Sequence, residues 1–189
     1  MPGESPAYHV KHLRFSVRGH NGVPEAFFEH IPWFTNVEGV TFSEYTRDEP
    51  LWIPSFWGLP QSVTSLTING DRVFLRQVQD IMAHLPNLDN LFLSGSLVVT
   101  DEGASPGIET ALRGRFGGKL RLIGGNVDGD VVDMLLEVPT GLHFTEVRIY
   151  TTHECLFSTV RLAEACSETL VKLMYMIDFY RKYHPFSQA

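Results

Sequence analysis

Acidic side chains in the run NVDGDVVDMLLE, residues 126–137, are the first candidates for chemistry. The first, third, fifth and twelfth positions of a calcium-binding loop carry its ligands, and here they are Asn126, Asp128, Asp130 and Glu137. Such a loop needs glycine at its sixth position for a sharp turn, but Val131 stands there. We therefore expect Asp130 to cap a helix rather than to bind calcium.

Other candidates for catalysis or metal binding are sparse. Cys155, Cys166 and His153 are too few for a structural zinc site, which uses four closely spaced ligands, so we expect buried thiols. The run GRFGGKL at 114–120 lacks the Ser or Thr of a phosphate-binding loop. We expect no metal, no cofactor and no enzymatic activity. The alternative is a small α/β enzyme whose acidic and histidine site comprises Asp128, Asp130 and His153.

Short apolar signatures recur along the chain and predict the elements that carry these residues. Each has the form apolar-x-x-apolar-x-apolar or a shortened version, and successive signatures are about 26 residues apart. Alternating apolar residues predict β-strands. The repeats begin near residues 10, 37, 63, 88, 117, 144 and 170.

Helical spacing follows several of these strands. Asp71 can cap a helix that carries Val78, Ile81 and Met82 on one face and stops at Pro86. Further helices are expected within 24–31, 108–112, 130–138 and 160–166. A strand and a short helix, repeated, predict an α/β solenoid with about seven parallel strands on its concave side and short helices on its convex side. The whole chain, 1–189, forms one such domain. The alternative is a doubly wound sheet, whose crossover units need about 30 or more residues.

The spacing and the L-x-x-L-x-L core resemble the leucine-rich-repeat family over most of the chain. Segments such as LPNLDNLFLSG at 85–95 and FTNVEGVTFSEY at 34–45 resemble the irregular repeats of fungal, basidiomycete-type F-box-like proteins. The family's regular Asn or Cys, five residues after the middle apolar residue, is missing, so we expect irregular curvature. We expect no F-box helices ahead of the first repeat.

The resemblance implies a horseshoe that binds other proteins. In the F-box-like subgroup it implies the part of a ubiquitin ligase receptor that recognises the substrate. We therefore expect a non-catalytic interaction scaffold.

Alternation along each strand identifies the residues of the concave face. In the last four repeats this face carries cations and aromatic rings against one acid, Glu146. The candidate partner-binding residues are Phe92, Lys119, Arg121, Arg148, Tyr150 and Lys172. Tyr, Phe and Arg are enriched at protein interfaces, so we expect an acidic or phosphorylated protein or peptide as the partner. The simpler interpretation is a solvated sheet face with chance charge.

Composition sets the remaining expectations. A net charge of −7 argues against nucleic acid and acidic membranes as partners. Two cysteines and no apolar segment at the amino terminus predict an intracellular location, cytoplasmic or nuclear. The apolar last strand, LVKLMYMIDF, predicts association through an uncapped carboxyl-terminal edge, unless Phe179, Tyr180 and Phe186 cover it.

Overall fold

A computed structural model describes residues 6–17, 29–44, 59–98, 114–124, 129–151 and 156–177 of the protein. The β-strands are β1 (His12–Val17), β2 (Gly39–Glu44), β3 (Ser65–Phe74), β4 (Asn90–Val98), β5 (Lys119–Ile123), β6 (Glu146–Thr151) and β7 (Lys172–Ile177). The α-helices are α1 (Leu75–Ala83), α2 (Gly129–Leu136) and α3 (Leu156–Ala165). Short 3₁₀ turns occupy Pro6–His9 and Ile31–Trp33.

The seven strands form one parallel sheet in chain order, β1 to β7. Each new strand therefore adds to the same edge. A doubly wound sheet would reverse its order of addition, so the described residues do not have that topology. The protein is an α/β structure with a seven-stranded parallel sheet and few helices, as the alternating strands and helices predict.

The core lies on one face of this sheet, here called the covered face. Apolar strand residues alternate onto it because successive side chains of a strand point to opposite faces. Residues opposite one another on neighbouring strands form rows that cross the sheet, and two central rows of this face are fully buried. The first is Leu66, Leu91, Leu120 and Val147, and the second is Ile68, Leu93, Leu122 and Ile149. The helices supply the opposing layer of the same core, including Val78, Ile81, Met82, Met134, Leu135 and Leu162.

The start of α1 differs from the prediction. Asp71 does not cap the helix, because β3 continues to Phe74 and the helix begins at Leu75. The extension follows from pairing: after an irregularity between Gly70 and Val73, β3 pairs with β4 again, in a register shifted by one residue, with Val73 opposite Leu97 and Phe74 opposite Val98. The predicted helices over 130–138 and 160–166 are found as α2 and α3. The segment 108–112 lies outside the described residues.

A repeated hydrogen bond joins each strand entry to the next. One carbonyl oxygen before a strand accepts the N–H groups of two consecutive residues in the following unit, as Lys11 does from Glu38 and Gly39. The acceptors of this pattern are the carbonyl oxygens of Lys11, Glu38, Thr64, Gly118 and Thr145. At the longer step into β5, the Asn90 side-chain oxygen accepts one of the two bonds, from the N–H of Lys119. These bonds hold all seven strand entries in one register.

Polar side chains also hold this register, from a position in each repeat that the apolar pattern did not indicate. Four residues before the middle apolar residue, side chains donate to carbonyl oxygens of the preceding unit. Examples are Asn36 to Tyr8, Asn87 to Gln61 and Thr169 to Phe144. They satisfy backbone acceptors where no strand partner is available.

Gly124 marks the tightest backbone approach beyond the sheet. Its N–H donates to the Tyr150 carbonyl oxygen at 3.1 Å, and a Cβ on Gly124 would overlap the carbonyl oxygen of Gly95. We predict that Gly124→Ala lowers the free energy of unfolding by about 1–3 kcal/mol, because rigid backbone must move apart. Urea denaturation followed by circular dichroism measures the change.

Gly117→Ala is the matched control for this variant. The nearest atom to a Cβ at Gly117 is the Asp89 side-chain oxygen at 3.6 Å, an ordinary contact. This variant should leave stability unchanged or raise it by up to about 1 kcal/mol. Equal stabilities for the two variants would contradict the close approach.

Candidate functional site

The sheet face opposite the core, here called the open face, carries the predicted partner-binding residues. The uniform register sorts its side chains into three rows that cross the strands. Over β4 to β7 the first row is Asn90, Lys119, Glu146 and Lys172, the second is Phe92, Arg121, Arg148 and Met174, and the third is Ser94, Ile123, Tyr150 and Met176. Neighbours within a row lie about 4.8 Å apart, and rows about 6.6 Å apart.

All six predicted residues lie on this one patch of four neighbouring strands. Phe92, Arg121 and Arg148 are consecutive members of the second row. Lys119 and Lys172 flank Glu146 in the first row, and Tyr150 is in the third. The register thus brings together residues that are up to 80 positions apart in the chain.

Glu146 is the electrostatic centre of the patch. Its carboxylate accepts a hydrogen bond from Nε of Arg148, and Nζ of Lys119 and Lys172 lie 3.7 and 3.8 Å from its oxygens. The sequence showed a single acid among cations but not that three of them converge on it. The hydrogen bond from Arg148 lowers the pKa of Glu146; partial burial opposes this, and the charges of Arg148, Lys172 and Lys119 add to the lowering.

Arg121 differs from its three cationic neighbours. No carboxylate of the described residues lies within ion-pair distance of its guanidinium, although the side chain is half-buried. Its planar fork of N–H donors matches a carboxylate or a phosphate. Because Glu146 is the only acid in the three rows over β4–β7, the patch keeps a net positive charge.

Over β5 to β7 the third row is apolar and exposed. Ile123 is 40% exposed, Tyr150 38% and Met176 52%. Adjacent Met174, in the second row, is 38% exposed. The patch is therefore divided, with cations toward the amino ends of the strands and apolar side chains toward their carboxyl ends.

Of the three residues of the enzyme alternative, only Asp130 lies within the described residues. Asp128 and His153 lie outside the described residues. Asp130 does not cap α2 as expected, because the helix begins at Gly129 and Asp130 is its second residue. Within the described segments, no group of three His, Cys, Asp or Glu side chains is placed to hold a metal ion. Cys166 is a buried free thiol whose pKa is raised by burial, so it stays protonated at neutral pH. Cys155 lies outside the described residues.

No helix in the described part of the chain is both long and apolar enough to cross a bilayer.

No protein-family model, curated protein or solved structure matches the chain. The leucine-rich-repeat and F-box-like resemblance therefore stays a prediction from the repeat pattern.

The ionised Glu146 carboxylate should contribute to stability in a pH-dependent way. Its folded-state pKa is lowered, so its contribution is complete above the unfolded glutamate pKa of about 4.3 and is lost as pH falls through the folded value. We predict that Glu146→Gln is less stable than the wild type at pH 7 and that the difference shrinks as the pH falls below the unfolded value of about 4.3. Urea denaturation across this range measures it.

Glu137→Gln serves as the control for Glu146→Gln. Glu137 is exposed just beyond α2 and forms no ion pair with any described residue. Its substitution should change stability little at any pH. A Glu146→Gln difference that persisted unchanged to pH 3 would show that the charge cluster is not its source.

Proposed function

We propose that the protein is a non-catalytic interaction module that binds an acidic or phosphorylated segment of a partner protein on its open face. The contact residues of this proposal are Phe92, Lys119, Arg121, Arg148, Tyr150 and Lys172. The observation that carries the proposal is their convergence: four cations and two aromatic rings lie on neighbouring strands of a protein with net charge −7, and one of the cations, Arg121, has no ion-pair partner among the described residues.

Physical arguments favour binding over an inert face. A solvated sheet face of an acidic protein gains little from collecting its cations around one acid, since exposed ion pairs contribute about 0–1 kcal/mol each. A positive patch on an acidic molecule instead steers an acidic partner to one orientation. Exposed Tyr, Met and Ile beside the cations supply apolar contact area.

The architecture proposed with this function is a leucine-rich-repeat solenoid. Strand entries in chain order, joined at intervals of about 26 residues by the repeated carbonyl pattern, support it. In that architecture the open face is the concave surface of a horseshoe. Substrate recognition within an F-box-type ubiquitin ligase receptor is the specific role that the resemblance suggests.

Arg121 offers the cleanest test of binding, because its substitution leaves no described carboxylate without a partner. We predict that Arg121→Glu weakens binding of a glutamate-rich or phosphoserine probe peptide at least tenfold, since a charged hydrogen bond contributes about 1.5–3 kcal/mol. Arg148→Glu should weaken it similarly. Fluorescence anisotropy with labelled peptides, at two salt concentrations, measures both.

Arg115→Glu is the matched charge control, because Arg115 is exposed in the loop before β5 and not on the open face. It should leave the affinity for the probe peptide within about threefold of the wild type, because salt screens the effect of a charge that does not touch the peptide. A neutral probe of equal length should not bind. Unchanged binding by Arg121→Glu and Arg148→Glu would refute the proposed site.

The edge of β7 is proposed as a site of association with a second copy. In the described residues β7 pairs with β6 alone, and Val171 and Leu173 are 86% and 48% exposed. An antiparallel pair of β7 edges centred on Met174 would place Leu173 beside Tyr175 of the other copy on the same sheet face. The covered faces would then be continuous.

We predict that the wild-type protein self-associates with rising concentration and that the double variant Val171→Lys and Leu173→Lys does not, because charges on an edge strand oppose pairing. Sedimentation velocity from about 1 to 100 μM measures it, with circular dichroism to verify folding. Phe157→Lys, on the helix α3, is the control for a charge at an exposed apolar residue. A wild-type protein that stays monomeric throughout would contradict this association.

A further inference from the structure

On the open face, the type of side chain changes along the direction of β5 and β6. Along β5 the open-face side chains are Lys119, Arg121 and Ile123, so two cations are followed by an exposed apolar residue. Beside them on β6, Arg148 neighbours Arg121 and Tyr150 neighbours Ile123. The open-face side chains therefore change from cationic to apolar over about 13 Å, the length of four residue steps in a strand.

Glu146 restricts where an acidic ligand can lie. It occupies the first row on β6 and has Arg148 as its hydrogen-bond donor through Nε. An acidic group above β6 in that row would face a carboxylate, whereas the same group above β5 would face Lys119. The column over β5 is therefore the favourable path for negative charge.

An extended peptide lying along a strand matches this ordering. Its alternate side chains point to one side and are about 6.6 Å apart, which is also the spacing of the rows. A peptide that crossed the strands along the first row would meet Glu146 between its two lysines, and one along the third row would meet no cation. Along the second row the apolar side chains, Phe92 and Met174, lie at opposite ends of the arginine pair.

We propose that the open face recognises a short extended motif along β5, in which two acidic residues and one apolar residue occupy alternate positions. The first acid pairs with Lys119, the second lies between Arg121 and Arg148, and the apolar side chain packs on Ile123 and Tyr150. This inference rests on the proposed function and deepens it, because it specifies the class of segment that the face selects. Glu146 holds Arg148 in position and takes no part in ligand contact.

Three synthetic probe peptides of equal length test the motif. The first contains Glu-Ser-Glu-Ser-Leu, the second replaces its leucine by serine, and the third rearranges the first to Glu-Ser-Leu-Ser-Glu. Each is titrated into protein with labelled Ile and Met methyl groups and followed by NMR. The first should bind about tenfold more tightly than the other two, as burial of most of a leucine side chain predicts.

The methyl spectra and one variant locate the contact. Ile123, at 40% exposure, should shift with the first peptide, whereas the buried Ile68 and Met134 should not. Ile123→Ser should remove the preference for the first peptide over the second without weakening the second. Phe157→Ser, at another exposed apolar residue on the helix α3, should leave the preference intact.

Each outcome separates this inference from the proposed function. Equal binding of all three peptides, with loss in Arg121→Glu, would overturn the motif and leave the acidic-ligand function standing. Tighter binding of the rearranged peptide would also overturn the motif. Absence of binding by every acidic probe, including a phosphoserine version of the second peptide, would overturn both.

Discussion

The single register of the parallel sheet is the constraint on which the rest of the structure depends. At five of the six steps, each strand entry is tied to the next by a carbonyl that accepts from two consecutive N–H groups, as Glu38 does from Thr64 and Ser65. At the step into β5, the Asn90 side chain accepts one of the two bonds. A slip of one residue would exchange the two faces of a strand and expose its apolar set. Because the slip is prevented at every entry, apolar residues form continuous buried rows, and the residues that alternate with them form continuous rows on the open face.

The repeat pattern was sufficient to predict the strands and the order in which they pair. Apolar pairs such as Leu66 and Ile68 lie two positions apart in every signature, with one residue between them, and this spacing puts both on the same, covered face. The exact start of α1 was not predictable in the same way. Asp71 has the chemistry of a helix cap, but pairing of β3 with β4 extends the strand past it, and local propensity carries no information about that partner.

The alternation of apolar residues along the strands likewise predicted which residues share the candidate site, but it did not predict the contacts between them. Positions of Phe92, Arg121 and Arg148 in one row follow from equal offsets within their repeats. That Glu146 accepts from Arg148, two residues along the same strand, depends on side-chain conformation and on the lysines in adjacent strands. The step of 29 residues into β5 also differs from the others in a way that the repeat spacing does not predict. There the Asn90 side chain replaces a backbone carbonyl as the acceptor of one hydrogen bond.

Separation of the two faces explains how such a sheet can carry a binding site with little cost to folding. Removing Arg121 from the open row leaves no described carboxylate unpaired, whereas removing Leu120, its buried neighbour in the chain, would open a cavity in the core. The same alternation that buries Leu120 places Arg121 on the opposite face. Open-face chemistry can therefore change one row at a time while the covered rows and the carbonyl pattern maintain the register. Glu146 is the exception, because it binds the cations of three strands to one another and so links the charge of the site to the stability of the sheet.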